Sequence, residues 1–216
     1  MGRALLWLGP SLLLIAAVVI YPAVQLVRAS LGRYSLTGLY LGGVGLRNYA
    51  RLLEQEALPT VIANTVTWVA LVVGITIVIS LGLAQLLDAA FPGRRLVRWA
   101  LIVPWAASLI MTAKLFGWLY DYYFGLINRA LVGTGLLRAP LDWLGDDATV
   151  MGAMIAVGVF VSLPFTTYVL LAGLTTIPPE VYEAARVDGA SGWRAYRAVT
   201  LPLLRPALLV AAVLNL

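Results

Sequence analysis

Cysteine and histidine are both absent from the 216 residues. Their absence excludes thiolate and imidazole metal centres, Cys or Ser nucleophiles activated by histidine, and structural disulfides. Lysine is nearly absent as well. Lys114 is the single one, in Met111-Thr112-Ala113-Lys114-Leu115, without the glycine-rich lead of a phosphate-binding P-loop. If the protein uses ATP, another chain must bind it, and no cofactor is expected in this one. Charge of either sign is scarce: 12% of residues are charged against 62% hydrophobic, more apolar side chains than a water-soluble core of this size can hide.

What is present falls into long apolar runs. Leu5 to Val27 (23 residues), Val61 to Leu87 (27), Trp99 to Ala113 (15, resuming past Lys114 to Tyr120) and Ala148 to Ile177 (30) each read as one crossing. About 20 helical residues span a hydrocarbon core of about 30 Å, so the last two fit with tilt or with ends in the interface. A fifth run, Ala207 to Leu216, has 10 residues and cannot cross. The fold expected is an all-α integral membrane protein with one transmembrane domain over residues 1–216. The first run is too long for a signal peptide and has no small-x-small cleavage site before Arg28, so it reads as a retained span that Pro10 and Pro22 bend or end.

The formal charge of +5 invites a nucleic-acid reading, but the arginines flank the spans instead of clustering with aromatics on one face. They set orientation instead. With the amino terminus in the cytoplasm, inner segments hold Arg3, Arg94, Arg95, Arg98, Arg186, Arg194, Arg197 and Arg205, and outer segments hold Arg28, Arg33, Arg47, Arg51, Arg129 and Arg138. The excess is small, yet three arginines crowd the short connection at 94–98, where positive charge counts most.

The outer connections carry their own signals. Residues 32–59 form a glycine-bearing loop that turns helical from Asn48 to Ala57, with Tyr34, Tyr40 and Tyr49 suited to the interface. In the second connection, Asp142, Asp146 and Asp147 lack a regular alternation of oxygen ligands and read as a solvated acidic edge, not a calcium site; no metal is expected. Within the spans, Trp105, Ser108 and Thr112 recur at spacings of three and four, as though on one helical face. Ser162, Phe165 and Thr166 share a face beside Pro164. Such surfaces suit a sugar, whose C–H face stacks on a ring while its hydroxyls bond; interhelical packing accounts for the same residues equally. Lys114 lies near enough to the outer end of its span to snorkel. The spans hold no Asp or Glu, which counts against a proton-coupled secondary carrier; a non-transporting scaffold or assembly subunit stays open.

One polar passage stands between apolar segments without being a plain turn. Pro178-Pro179-Glu180 opens a helix, Asp188-Gly189 stops it, and Ser191 caps a second in which Trp193, Tyr196 and Val199 recur every three residues. Val181, Tyr182, Ala184, Ala185 and Val187 are small or apolar enough to press into a groove on another protein. The passage resembles the signature loop of permease subunits of binding-protein-dependent ABC importers, E-A-A-x3-G-x9-I-x-L-P. Here Glu183-Ala184-Ala185, Gly189 and Val199-Thr200-Leu201-Pro202 stand in that register, with valine in place of isoleucine. Asp188 and Pro206 fit the carbohydrate-uptake branch, of the maltose and glycerol-3-phosphate permease kind, and Gly45-Leu46-Arg47-Asn48-Tyr49, Gly125-Leu126-Ile127-Asn128 and Asp142-Trp143-Leu144-Gly145-Asp146 match its outer loops in their first-subunit form.

The resemblance implies a type I ABC importer transmembrane domain in a bacterial or archaeal cell membrane. It implies a non-catalytic subunit working with a second homologous permease, two cytoplasmic ATP-binding subunits and an extracytoplasmic solute-binding protein. Residues 178–202 would be the coupling loop, in which Glu183, Ala184, Ala185, Asp188, Gly189, Leu201 and Pro202 serve the ATPase contact. Trp105, Ser108, Thr112, Ser162, Phe165 and Thr166 are the candidates for the solute pathway. The family has six spans and this sequence stops in the fifth, so it is expected to be a fragment.

Overall fold

The computed structural model describes residues 2–216, with side chains from residue 8 onward. It divides into two compact units, Met1–Asn64 and Thr65–Leu216. In the first, α1 (Gly2–Ile15) passes through one π-type turn (Ala16–Ile20) into α2 (Tyr21–Ser30). Pro10 is absorbed within α1. The wide turn lies just ahead of Pro22, and Tyr21 N–H reaches back five residues to Ala16 O. Proline removes a donor and its ring crowds the preceding turn, so the ladder relaxes there by one residue.

The loop that follows is more regular than the sequence suggests. Strands β1 (Gly32–Tyr34) and β2 (Tyr40–Gly43) form an antiparallel hairpin, and Tyr34 meets Tyr40 edge to face at 5.5 Å. The helix expected over Asn48–Ala57 is α3 (Arg47–Leu53) and ends sooner. Asn48 Nδ2 donates to Ser30 O (2.8 Å) and Gly32 O (2.9 Å), and Tyr49 Oη donates to Ser30 Oγ (2.7 Å). The Asn-Tyr pair therefore clamps α3 to the end of α2.

The second unit is a helical bundle. Its long members are α4 (Leu58–Asp88), from Thr65 onward, and α8 (Asp147–Thr175); each whole helix is long and apolar enough to cross a membrane, as is Leu8–Ser30 in the first unit. Between them lie α5 (Arg94–Trp105), α6 (Leu109–Leu119) and α7 (Leu126–Gly133). After α8 come α9 (Pro179–Val187), α10 (Gly192–Ala195), a π-type turn (Tyr196–Thr200), α11 (Leu201–Leu203) and α12 (Arg205–Leu214). The third expected span is not one rod: α5 and α6 meet at 98°. The chain breaks because Ser108 is extended (φ −66°, ψ 149°) and caps a new helix, its Oγ accepting from Met111 N–H at 3.2 Å.

The core runs along α4, α8 and α12. Val72, Thr76, Ser80 and Ala84 form a buried stripe on α4 at four-residue spacing. Ser80 Oγ donates to Leu163 O (3.3 Å), and Thr167 Oγ1 donates to Leu163 O (2.7 Å) and to Ser80 Oγ (3.2 Å). Ala84, Leu87, Leu101, Leu170, Leu174, Leu204 and Ala211 complete the buried cluster. Small residues set the spacing, as expected where helices pack without a hydrophobic drive between them. At Gly173, a Cβ would lie 2.6 Å from Ala207 Cβ and 2.9 Å from Leu204 Cδ1.

The acidic edge of the second connection is structural. Asp142 Oδ1 accepts from Gly145 N–H (2.9 Å), and Asp146 caps α8 by accepting from Ala148 N–H (3.0 Å). Asn128 is its hub: Nδ2 donates to Leu141 O (2.9 Å), and Oδ1 accepts from Leu141 N–H (3.1 Å) and Trp143 Nε1–H (2.9 Å). Gly173→Leu should force α12 off α8 and cost about 1–3 kcal/mol through overpacking. The thermal transition of the purified protein in detergent, compared with that of Gly152→Leu, checks this, since a Cβ at Gly152 meets nothing within 4 Å.

Candidate functional site

The polar passage folds as an elbow. Pro178 is extended (φ −63°, ψ 138°) and Pro179 starts α9, with Glu180 in the first turn and Arg186 in the last, each suited to its end of the helix dipole. Two bonds stop the helix: Gly189 N–H donates to Arg186 O (3.0 Å) and Ala190 N–H to Ala185 O (2.9 Å). This is the Schellman closure, which needs a left-handed residue, and Gly189 sits at φ +74°. Ser191 then caps α10, its Oγ accepting from Arg194 N–H at 3.4 Å.

Beyond α10 the helix widens. Leu201 N–H donates to Tyr196 O, five residues back, just ahead of Pro202. The same relation of π-type turn to proline occurs at Pro22, for the same reason. A bend of 62° then separates Gly192–Leu203 from α12, with Leu204 buried at the corner and Pro206 in the first turn beyond it.

The outer surface of the elbow carries Glu183, Ala184, Arg186, Val187, Asp188 and Gly189, all exposed, with Val187 at 88%. Ala185, Leu201 and Pro202 are half-buried. Tyr182, expected on the docking surface, turns inward instead. Its ring packs on the buried cluster and its hydroxyl lies 3.2 Å from Thr200 Oγ1. The three-residue repeat of Trp193, Tyr196 and Val199 is likewise interrupted: Trp193 is exposed and stacks on Tyr196 at 5.6 Å, while the wide turn buries Thr200. A cavity of about 360 Å³ beneath the elbow is lined by Gln85, Asp88, Tyr182, Arg186, Tyr196 and Thr200 among others.

The six pathway candidates separate. The break at 106–108 removes the single helical face proposed for Trp105, Ser108 and Thr112, and Ser108 spends its hydroxyl on capping α6. Trp105 (57% exposed) and Phe165 (39%) line one cavity of about 290 Å³ with Ile102, Pro164 and Tyr168. Trp105 and Thr112 line another of about 230 Å³. Ser162 belongs to a third, about 430 Å³, walled by Trp68, Phe116 and Tyr120. Thr166 is fully buried and accepts from Asn215 Nδ2 at 2.8 Å, a bond between α8 and the end of α12 that removes it from any open surface.

Residues 77–216 match the family model described as the binding-protein-dependent transport system inner membrane component. This chain belongs to that family. It is 37% identical over 209 residues to a "probable ABC transporter permease protein" of Brucella suis, covering 95% of this chain and 71% of that one. It is also 37% identical over 172 residues to a trehalose/maltose transport system permease protein of Thermococcus litoralis, covering 80% and 58%. In structure it is similar to a bacterial alginate ABC transporter (TM-score 0.81, 22% identity, 99% of this chain and 71% of that one), which shares the fold. The permease is therefore a multi-pass membrane protein and a non-catalytic subunit, ATP being hydrolysed on a separate subunit in this class.

Sequence reading missed three residues of this permease. Tyr168 joins Trp105 and Phe165, and its hydroxyl donates to Arg98 O at 3.5 Å. Trp68 adds an indole whose buried Nε1 has no hydrogen-bond partner among the described residues. Thr200 looked like a spacer. Only Trp68 has a visible signal, since it stands four residues before Val72, the first residue of the buried stripe of α4. Gly189→Val places a β-branched residue in the left-handed region at a cost of about 1–2 kcal/mol. Hydrogen–deuterium exchange should show roughly tenfold faster exchange at residues 189–190, with a smaller change for Gly189→Asn, because asparagine visits that region more readily.

Proposed function

We propose that this permease imports a carbohydrate by alternating access, with the elbow at 178–202 as its coupling loop on the cytoplasmic side. The observation that carries the reading is the Schellman-stopped helix α9, whose exposed Glu183, Ala184 and Val187 stand clear of the bundle. A short helix with small exposed residues fits a groove on an ATP-binding subunit, with Glu183 in polar contact and Ala184 and Ala185 permitting close approach. The arginine excess supports an amino terminus on the same side. Movement of the elbow would rock the spans between inward-open and outward-open states.

The pathway assignment narrows to Trp105, Phe165 and Ser162, with Tyr168 added, since Thr112 is buried and its hydroxyl donates to Ser108 O at 3.2 Å. Trp105 and Phe165 offer ring faces to the C–H surface of a sugar, and Ser162 is a hydroxyl at a separate cavity. The names of the relatives support the solute class: one carries trehalose/maltose, and the alginate transporter was solved in complex with a periplasmic protein holding an alginate pentasaccharide. The latter also supports an extracytoplasmic binding protein as partner, beside a second permease and two ATP-binding subunits.

The assembled transporter in proteoliposomes, supplied with its binding protein, should accumulate radiolabelled trehalose, maltose or a longer glucan only with ATP. Trp105→Ala should weaken the apparent affinity for the accumulated sugar by about tenfold or more. Equal flux with and without ATP, or no ATP-dependent uptake of any carbohydrate, overturns the reading.

A further inference from the structure

The signature spacing brings together two residues that the signature does not name. Tyr182 precedes Glu183 and Thr200 precedes Leu201, 18 positions apart in the chain, and their hydroxyl oxygens are 3.2 Å apart. Tyr182 is the residue of α9 that packs against the buried cluster, among those described. Tyr182 and Arg186 both border the 360 Å³ cavity, so the inner side of α9 faces open space beside this contact. The short helix is tied covalently at Ile177-Pro178 and, through residues 188–191, to α10; between these two ends, its side-chain hold on the bundle is this ring and this hydroxyl.

Thr200 is placed by Pro202. The missing N–H of Pro202 and the crowding of its ring accompany the π-type turn Tyr196–Thr200, and the extra residue in that turn sets Thr200 inward, at 5% exposure. The next turn leads through α11 into α12, which is bonded to α8 at Asn215 and Thr166. A continuous path of bonded and packed groups therefore runs from α9 through Tyr182 and Thr200 into a spanning helix.

We infer that Tyr182 and Thr200 form the joint that makes α9 and α12 move as one body, and that Tyr182 is a positioning residue for coupling. The inference rests on the elbow being the coupling loop. Without the joint, α9 can pivot about Ile177-Pro178 while the spans stay in place, and ATP would be hydrolysed with less transport. A hydrogen bond of this kind shifts an equilibrium by about three- to tenfold, so that is the expected fall in solute moved per ATP.

Absence of cysteine permits a direct test. Spin labels at V187C and L209C, both exposed sites, report the separation of α9 from α12 in the assembled transporter, without nucleotide and trapped with ATP and orthovanadate. In the parent chain the distance distribution should be narrow and keep its width in both states; in Tyr182→Phe and in Thr200→Val it should broaden. Thr200→Ser, which keeps the oxygen, should restore the narrow distribution. The double variant Tyr182→Phe/Thr200→Val, which leaves no polar group orphaned, should recover thermal stability yet remain broad, which a merely structural bond would not predict. Equally narrow distributions in all variants overturn the joint. Failure of the Val187 label to become immobilised when the ATP-binding subunits assemble would instead overturn the coupling assignment itself.

Discussion

A peptide backbone in hydrocarbon has to satisfy its own hydrogen bonds, and every irregular feature of this permease shows how that demand is met. Where proline removes a donor at 22 and at 202, the ladder widens by one residue and continues. At Pro164, whose missing N–H frees Phe160 O, α8 stays one helix, and Ser80 and Thr167 add hydroxyl donors to the neighbouring Leu163 O. Where a helix starts anew, side-chain oxygens of Ser108, Asp146 and Ser191 accept from its first free N–H groups. Polar residues within the bundle are thus spent mostly on keeping helices intact and close. Few are left over for a solute.

That economy explains which parts of the site were legible. The elbow was readable because its signals are local: paired prolines start α9, glycine stops it, serine restarts the chain, and each acts within a few residues. The pathway is not, because a three-and-four spacing fits a solute-facing helical face and interhelical packing equally, and fits neither if the helix breaks. Ser108 made that spacing meaningless by capping instead of continuing, and a serine before an apolar run is ambiguous between the two roles. Thr166 illustrates the second difficulty. Its partner Asn215 lies 49 positions away, and no local pattern announces such a bond.

The core tells a similar story. The stripe of Val72, Thr76, Ser80 and Ala84 follows the four-residue ridge by which α-helices interlock. Its hydroxyls, on Thr76 and Ser80, are fully buried within the bundle. The connecting loops divide in the same way: Asn48, Tyr49 and Asn128 belong to runs recognisable by resemblance, yet their work is to tie turns to helix ends.

The right-angled break between α5 and α6 has a consequence for assembly. Helices of 12 and 11 residues rise only about 18 and 16 Å, so neither arm crosses the bilayer alone. If the pair crosses, the uncoiled Ala106-Ala107-Ser108 vertex must lie at depth. Ala106 N–H and Ala107 N–H stay bonded to Ile102 O and Pro104 O, but the regular ladder stops there, so the vertex is best placed toward neighbouring protein or a watery lumen. The corner thus acts as a compass needle, marking which flank of the subunit is turned to the centre of the machine and which is left to the lipids.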